Sequence, residues 1–90
     1  MKVLQSGVFS RTVKKLHKKE KTALDRAVKK VMDDPTVGAL KVGDLAGVRV
    51  YKFKVVAQQY LLGYQYRDED ATLMLLALGS HENFYRDLKA

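Results

Sequence analysis

The chain has 90 residues, 47% of them hydrophobic, with one proline, no cysteine and a formal net charge of +7. This length suits one globular domain, residues 1–90, and the lack of cysteine excludes disulfides and cysteine-based zinc sites. The short, polar N-terminus is not that of a signal peptide, and the apolar run over residues 71–78 is far below the ~20 residues that span a bilayer. We therefore expect a soluble cytoplasmic protein that makes no membrane contact.

The positive charge lies mostly in the first third of the chain. Residues 1–32 carry ten lysines and arginines against Glu20 and Asp25, whereas residues 33–90 carry seven against eight acidic residues. Such a basic lobe suits a polyanion, either nucleic acid or an acidic protein. A solvated helix face would look similar, although helices usually mix the two signs.

The first third predicts a short strand followed by helix. Residues 2–5 are apolar at their centre, and Ser6 suits a helix N-cap. Apolar residues then recur at helical spacing in two stripes. The stripes are Phe9, Val13, Leu16 and Leu24, Ala27, Val28, Val31. Nothing between them forces a break, so a helical hairpin and one long helix over residues 8–32 are both compatible with the pattern. The pattern ends before Pro35, because the residue preceding a proline is pushed out of the helical region.

A linker and a strand follow. Residues 36–47 contain three glycines and three apolar residues that would fix the linker to the core, namely Leu40, Val42 and Leu45. Residues 48–55 end in strict alternation, with Lys52 and Lys54 on one face and aromatic residues on the other. That is the period of a half-buried strand, and it places two ammonium groups where they could bind one phosphate or two adjacent ones.

The second half predicts two more strands and a short tail. Residues 56–59 read as a loop and residues 60–66 as a strand, and residues 71–78 are apolar on both faces, as in a central strand. The whole is an α+β domain. Residues 80–88 predict a short helix or turn, with Phe84 and Leu88 as core anchors.

The tail could contribute to RNA cleavage. In a helix His81 and Tyr85, four residues apart, share a face. Cleavage of RNA by its own 2′-hydroxyl needs proton transfer at the 2′- and 5′-oxygens and cations near phosphorus. An imidazole suits either transfer, lysines supply charge, and a tyrosine can stack a base. No metal or other cofactor is required. Each residue also fits a structural role, the lysines as edge-strand lysines and Tyr85 as a packing residue.

The order of elements and several short motifs resemble the RelE/ParE superfamily, toxins of bacterial type II toxin–antitoxin modules, over nearly the whole chain. The motifs are Asp34-Pro35, Leu45-Ala46-Gly47, Tyr51-Lys52-Phe53-Lys54, Leu62-Gly63-Tyr64 and Gly79-Ser80-His81. This resemblance implies a helical hairpin after the first strand. It further implies a three-stranded antiparallel meander that completes a four-stranded sheet, and a C-terminal helix or turn.

Within the superfamily the chain is similar to RelE- and YafQ-like mRNA interferases, which implies roles for individual residues. Lys52 and Lys54 would hold the scissile phosphate, His81 would transfer a proton and Tyr85 would support the substrate. The expected RNA or ribosome contacts are Arg11, Lys14, Lys15, Lys18, Lys19, Lys29, Lys30, Arg49 and Arg86. The chain departs from RelE at Leu61 and His81, where RelE has arginines, so Lys52, Lys54 and Arg49 or Arg86 would stabilise charge instead.

The resemblance also implies partners. We expect a cognate antitoxin that contributes an acidic segment, the ribosome with its mRNA, and promoter DNA only together with the antitoxin. The prediction is therefore a metal-independent endoribonuclease that cuts mRNA on the ribosome and inhibits translation. Two alternatives are a ParE-like inhibitor of DNA gyrase without catalysis, and an inactive module kept for autoregulatory DNA binding with its antitoxin.

Overall fold

The computed structural model describes residues 1–89, except for the side chains of residues 82 and 87–89. Within this range three α-helices pack on a five-stranded sheet of order β1-β5-β4-β3-β2, in which only β1 and β5 are parallel. The elements are β1 (Lys2–Gln5), α1 (Gly7–Lys14), α2 (Lys18–Asp33), β2 (Ala39–Leu40), β3 (Arg49–Val55), β4 (Gln58–Arg67), β5 (Thr72–Ser80) and α3 (His81–Lys89). No helix of the described residues is long and apolar enough to cross a membrane.

The helical hairpin is confirmed, and the alternative of one long helix is wrong. α1 ends at Lys14, and α2 begins after the N-cap His17. The Glu20 carboxylate accepts a hydrogen bond from the His17 backbone N–H at 2.8 Å. This bond satisfies a donor that the start of a helix would otherwise leave without a partner. The break therefore needs neither glycine nor proline.

Ser6 connects α1 to the central strand β5. Its hydroxyl accepts a hydrogen bond from Phe9 N at 3.0 Å and donates one to the Leu76 carbonyl at 2.7 Å. Leu76 is the extra residue of a β-bulge, because Gly63 pairs with Ala77 while Tyr64 pairs with Leu75. The predicted N-cap is therefore confirmed, and the same side chain also satisfies the carbonyl of the bulged residue.

β5 supplies two cores on opposite faces of the sheet, and the bulge decides which of its residues reach each core. The helical face packs against α1 and α2 and contains Phe9, Leu24, Ala27, Val31, Leu62, Tyr64, Leu73, Leu75 and Leu78. The other face, called here the α3 face, has a smaller core of Val48, Val50, Leu61, Ala77 and Phe84. Strict alternation would place Leu75 and Leu78 on different faces, but the extra residue brings both to the helices. The prediction that β5 is covered on both sides is confirmed.

The linker is fixed mainly by Tyr64. The hydroxyl of this buried tyrosine donates to Pro35 O at 2.7 Å and accepts from Gly38 N at 3.0 Å. A Cβ at Gly38 would lie 2.8 Å from that hydroxyl, which is why this position is glycine. The prediction that Leu40 and Val42 pack on the core is wrong, since they are 57% and 85% exposed.

Two further details differ from the sequence prediction. The sheet has five strands instead of four, because Ala39–Leu40 pairs with Arg49 and Val50. β4 begins at Gln58, so the predicted loop over residues 56–59 is only a two-residue turn. Its first residue, Val56, has φ of 56°, the left-handed conformation that such short hairpin turns require. A valine there gives no glycine or asparagine signal from which the turn could be predicted.

We expect Ser6→Ala to lower the free energy of unfolding by about 1–2 kcal/mol, because it removes the α1 cap and leaves the Leu76 carbonyl without its donor. Urea denaturation would measure the loss. Ser10→Ala, inside the same helix and away from the cap, is the matched control. Equal stability of the two variants would contradict the role given to Ser6.

Candidate functional site

Lys52 and Lys54 lie side by side on the α3 face of β3. Both are exposed, whereas Tyr51, Phe53 and Val55 are partly buried towards the opposite face, so the predicted alternation is confirmed. Residues two apart in a strand have Cα atoms about 7 Å apart. The two ammonium groups can therefore contact the same phosphate or two neighbouring phosphates.

α3 folds back over the same face and presents His81 and Tyr85. Its anchor is Phe84, which is fully buried, and a Cβ at Gly63 would lie 2.7 Å from the Phe84 ring. The His81 and Tyr85 ring centroids are 5.0 Å apart at an interplanar angle of 60°. Phe84 is thus confirmed as a core anchor, while the Leu88 side chain lies outside the described residues.

The strand register places the lysine pair and the His81–Tyr85 pair at the same end of the sheet. Lys54 lies opposite Gln59 in β4, and Tyr60, the next residue, lies opposite Ser80 in β5. His81, which follows Ser80, is therefore level with Lys54 across the sheet. Two strand spacings, about 10 Å, separate the Lys54 and His81 positions. The lysines and the His81–Tyr85 pair therefore lie on either side of β4 at this end of the sheet.

Leu61 lies at the centre of this face, opposite Lys52 in the register. It is 1% exposed and packs in one cluster with Ala77 and Phe84. An arginine here would be buried beneath α3 without a partner, at a large desolvation cost. Leu61 therefore has a structural role, because it supports α3.

Some of the predicted basic contacts gather at the same end of the molecule. Lys18 and Lys19, in the first turn of α2, line a groove of about 360 Å³ together with Lys54. Lys15, the C-cap residue of α1, lines a second groove of about 280 Å³ together with Arg86. Cations from the end of α1, the start of α2, the end of β3 and from α3 thus lie at one rim of the sheet.

The other helical cations lie apart from this rim. Lys29 and Lys30 lie near the far end of α2, about 18 Å along the helix from its first turn. Arg11 and Lys14 are exposed on α1 and line neither of the two grooves at the rim. The predicted basic contacts therefore do not form one continuous patch.

Arg49 has a structural contact. Its guanidinium donates to Gly38 O at 2.9 Å and Thr36 O at 3.4 Å, which fixes the linker against β3. Strand alternation also places Arg49 on the opposite face from Lys52. The structure therefore does not bring Arg49 to the lysine pair.

A hydrogen bond between Glu20 and Tyr60 fixes α2 to the sheet at this rim. The Tyr60 hydroxyl donates to one Glu20 oxygen, and the other oxygen accepts from His17 N–H. These two bonds, the Tyr60 bond above all, lower the pKa of Glu20. The bond to Glu20, followed by burial, raises the pKa of Tyr60 to about 12. Tyr60 is therefore a neutral donor committed to Glu20.

Sequence reasoning missed Arg26 and this Glu20–Tyr60 bond. Arg26 lines the groove that contains Lys18 and Lys54, and its four-residue spacing from Lys18 through Thr22 is a signal that could have indicated it. The Glu20–Tyr60 bond joins residues 40 apart in sequence, and no local pattern predicts it.

The arrangement can bind phosphates with lysines, transfer protons through an imidazole and stack a base on an aromatic ring. Among the described residues no group of three or more His, Asp or Glu side chains is placed to hold a metal ion.

Residues 3–89 match the model of a family described as the ParE-like toxin of type II bacterial toxin–antitoxin systems. The chain belongs to this toxin family. The match covers almost the whole sequence, and it confirms the superfamily inferred from the motifs. Among curated proteins, none matches the sequence significantly.

Solved toxin structures share the fold of this toxin. A chain of the RelBE2 toxin–antitoxin complex of Mycobacterium tuberculosis has TM-score 0.76 and 23% identity, with 89% of this chain and 96% of that chain covered. The YoeB/ParE toxin of Agrobacterium tumefaciens has TM-score 0.73 and 14% identity, with 90% and 99% covered. A chain of the Escherichia coli RelBE complex has TM-score 0.70 and 22% identity, with 88% and 94% covered. At these identities the likeness concerns the fold.

Gly63→Ala should loosen α3 and destabilise the toxin by about 1–3 kcal/mol, because the added methyl group overlaps the Phe84 ring. Hydrogen exchange of the α3 amides would measure the loosening. Gly7→Ala is the control, since the nearest atom to its Cβ is the end of the Arg11 side chain at 3.4 Å. Unchanged exchange in α3 would show that Phe84 does not hold the helix through Gly63.

Tyr60→Phe should raise the pKa of Glu20 towards its ordinary value of 4.5. Because the folded pKa lies below the unfolded one, Glu20 stabilises the toxin fully above pH 4.5 and less as the pH falls through the folded pKa. The variant should therefore lose less stability on acidification than the wild type. A carboxyl titration by NMR measures the pKa, with Tyr66→Phe as control, and an unchanged Glu20 pKa would contradict this assignment.

Proposed function

We propose that this toxin is a ribosome-dependent mRNA endonuclease that inhibits translation in the cytoplasm, with residues 1–90 as a single toxin domain. The observation that carries the proposal is the placement of two pairs on the α3 face of the sheet. Lys52 and Lys54 lie at one side and His81 and Tyr85 at the other. Phosphodiester cleavage requires cations and a proton-transfer group at one phosphate. The two pairs lie about two strand spacings apart, and the long lysine side chains can extend towards the imidazole.

In the proposed reaction the 2′-hydroxyl oxygen of the substrate attacks the adjacent phosphorus and the bond to the 5′-oxygen breaks. The products are a 2′,3′-cyclic phosphate and a 5′-hydroxyl end. His81 transfers a proton in this reaction. Lys52 and Lys54 bind the non-bridging oxygens, whose charge grows in the transition state, and Tyr85 orders the base or assists.

The proposed partner that restrains the toxin is a cognate antitoxin with an acidic segment. The related chains from E. coli and M. tuberculosis come from toxin–antitoxin complexes. The outer edge of β1 supports a protein partner, because Val3 and Leu4 are 40% and 38% exposed there. An apolar groove of about 580 Å³ between α1 and α2 lies beside it, and its rim carries Lys29 together with the Lys21–Asp25 ion pair. Apolar surface beside lysines suits an amphipathic acidic segment.

The second candidate is inhibition of DNA gyrase without catalysis. It is favoured by the ParE-like description of the matching family and by Leu61, the buried apolar residue where RelE has an arginine. In that case Lys52, Lys54 and His81 would be dispensable for toxicity.

We expect His81→Ala to reduce mRNA cleavage by about 10²–10⁴-fold, the usual contribution of a proton-transfer group, and Lys54→Ala to reduce it as well. Primer extension on a reporter mRNA after induction in cells measures the cuts. Lys2→Ala, on β1 at the opposite edge of the sheet, is the control with the same loss of charge.

The outcomes separate the candidates. Cuts within the translated frame that disappear in the variants support the nuclease. Cuts that persist in His81→Ala keep the nuclease but remove the role given to His81. Growth arrest without any cuts would contradict the nuclease proposal. If DNA supercoiling is then inhibited by the wild type and equally by His81→Ala and Lys54→Ala, gyrase inhibition is supported instead.

A further inference from the structure

A basic groove lies between α2 and the end of β3, called here the α2–β3 groove. Its volume is about 360 Å³, and it is lined by Lys18, Lys19, Thr22, Ala23, Arg26, Lys54, Val55 and Val56. This volume is within the ~300–1,000 Å³ range of ligand-binding clefts. Four of its eight lining residues are cations and none is acidic.

The sheet topology explains why the groove is open. The short β2 pairs only with Arg49 and Val50, so residues 51–55 of β3 form an edge of the sheet. α2 crosses the helical face beside this edge. A side chain from the α3 face, such as Lys54, therefore lines a groove that it shares with a helix on the opposite face.

The four cations are not neutralised within the part of the chain that the structure describes. The two ion pairs there join Lys21 to Asp25 and Arg67 to Asp70, and neither involves a groove residue. Lys18, Lys19 and Arg26 lie along one surface of α2, with Arg26 two turns beyond the two lysines. Cations gathered in one groove without acidic neighbours favour a bound anion.

We propose that the α2–β3 groove is a second phosphate site, in which the RNA strand held at Lys54 continues around the edge of β3 to Arg26 and Lys19. The inference rests on the proposed function, because the position of the RNA strand along the groove assumes that Lys54 contacts the RNA near the scissile phosphate. It adds Arg26 as an RNA-binding residue and assigns the flanking phosphates, instead of the cleaved one, to α2.

The shape of the charge favours a nucleic-acid strand over a protein. Lys19 and Arg26 are seven residues apart, about 10 Å along the helix, and Lys54 extends the row onto the sheet. A row of separate cations matches successive backbone phosphates, and the arginine fork suits phosphate in particular. Thr22 adds a hydroxyl of the kind that commonly contacts phosphate oxygens.

The test measures binding without cleavage. The probe is a fluorescently labelled, single-stranded 2′-O-methyl RNA oligonucleotide, which lacks the attacking hydroxyl, titrated with the full chain at several salt concentrations. Arg26→Gln and Lys19→Gln should each weaken binding and reduce the slope of log K against log[salt] by about 0.7, the value for one phosphate contact in a single strand. Lys2→Gln, on the opposite edge of the sheet, removes the same charge and should leave the slope unchanged.

A methylphosphonate linkage, which removes one phosphate charge, then locates the contact. This neutral linkage is placed at one position of the oligonucleotide after another. At one position Arg26→Gln should no longer weaken binding, because the phosphate charge that Arg26 contacts is already gone. Lys54→Gln should lose its effect on binding at a different, nearby position. A slope for Arg26→Gln equal to that of the wild type, no RNA binding by the wild type, or a groove effect seen only with a poly-glutamate peptide would each overturn the proposal.

The two experiments distinguish a wrong groove proposal from a wrong nuclease proposal. If the groove proposal is wrong and the nuclease is right, Arg26→Gln leaves the slope unchanged while mRNA is still cut in cells. If the nuclease is wrong and the groove is right, the slope falls as expected although no cuts appear.

Discussion

The hydrogen bond from the Ser6 hydroxyl to the Leu76 carbonyl joins the start of α1 to the bulge in the central strand. The bulge changes which face each later residue of β5 occupies, so Leu78 reaches the helical core while Ala77 and Gly79 turn towards α3. Without the extra residue, Ala77 and Leu78 would exchange faces, and the small alanine would replace the leucine in the helical core. A single hydroxyl thus caps a helix and satisfies the carbonyl of the bulged residue, at the point where the register that both faces depend on changes.

The position of α3 follows from this register. Phe84 lies directly on Gly63, where no other residue would leave room for the ring, and Leu61 and Ala77 complete a small apolar base. This core is separate from the helical one, and it holds α3, with His81 and Tyr85, against β5 and β4. The same packing excludes a charged residue at position 61. The site therefore has its cations at the edge of the sheet and not beneath the helix.

Several segments that are distant in the sequence come together at one end of the molecule. The end of α1, the start of α2 and the ends of β3 and β5 all lie at this rim, where the hydrogen bond between Glu20 and Tyr60 fixes α2 against the sheet. Only part of the +7 charge is concentrated there, since Lys29 and Lys30 lie at the far end of α2. A polyanion bound at Lys54 would find further cations on α2 and, beyond His81, at Arg86.

Local sequence was enough to predict the helices and four of the five strands in order, the two stripes of the helical core, the cap at Ser6 and the alternation that exposes Lys52 and Lys54. These features depend on residues close together in the chain. The family followed from motifs in that order. Tertiary structure alone decided the fifth strand, the bulge at Leu76, the use of Arg49 as a support for the linker and the meeting of Arg26 with Lys54. All four features depend on which distant segments of the chain contact one another, and on the register in which their strands pair. A strand of two residues and a turn that begins with valine carry no local signal, and a helix surface does not reveal which strand edge it will lie beside.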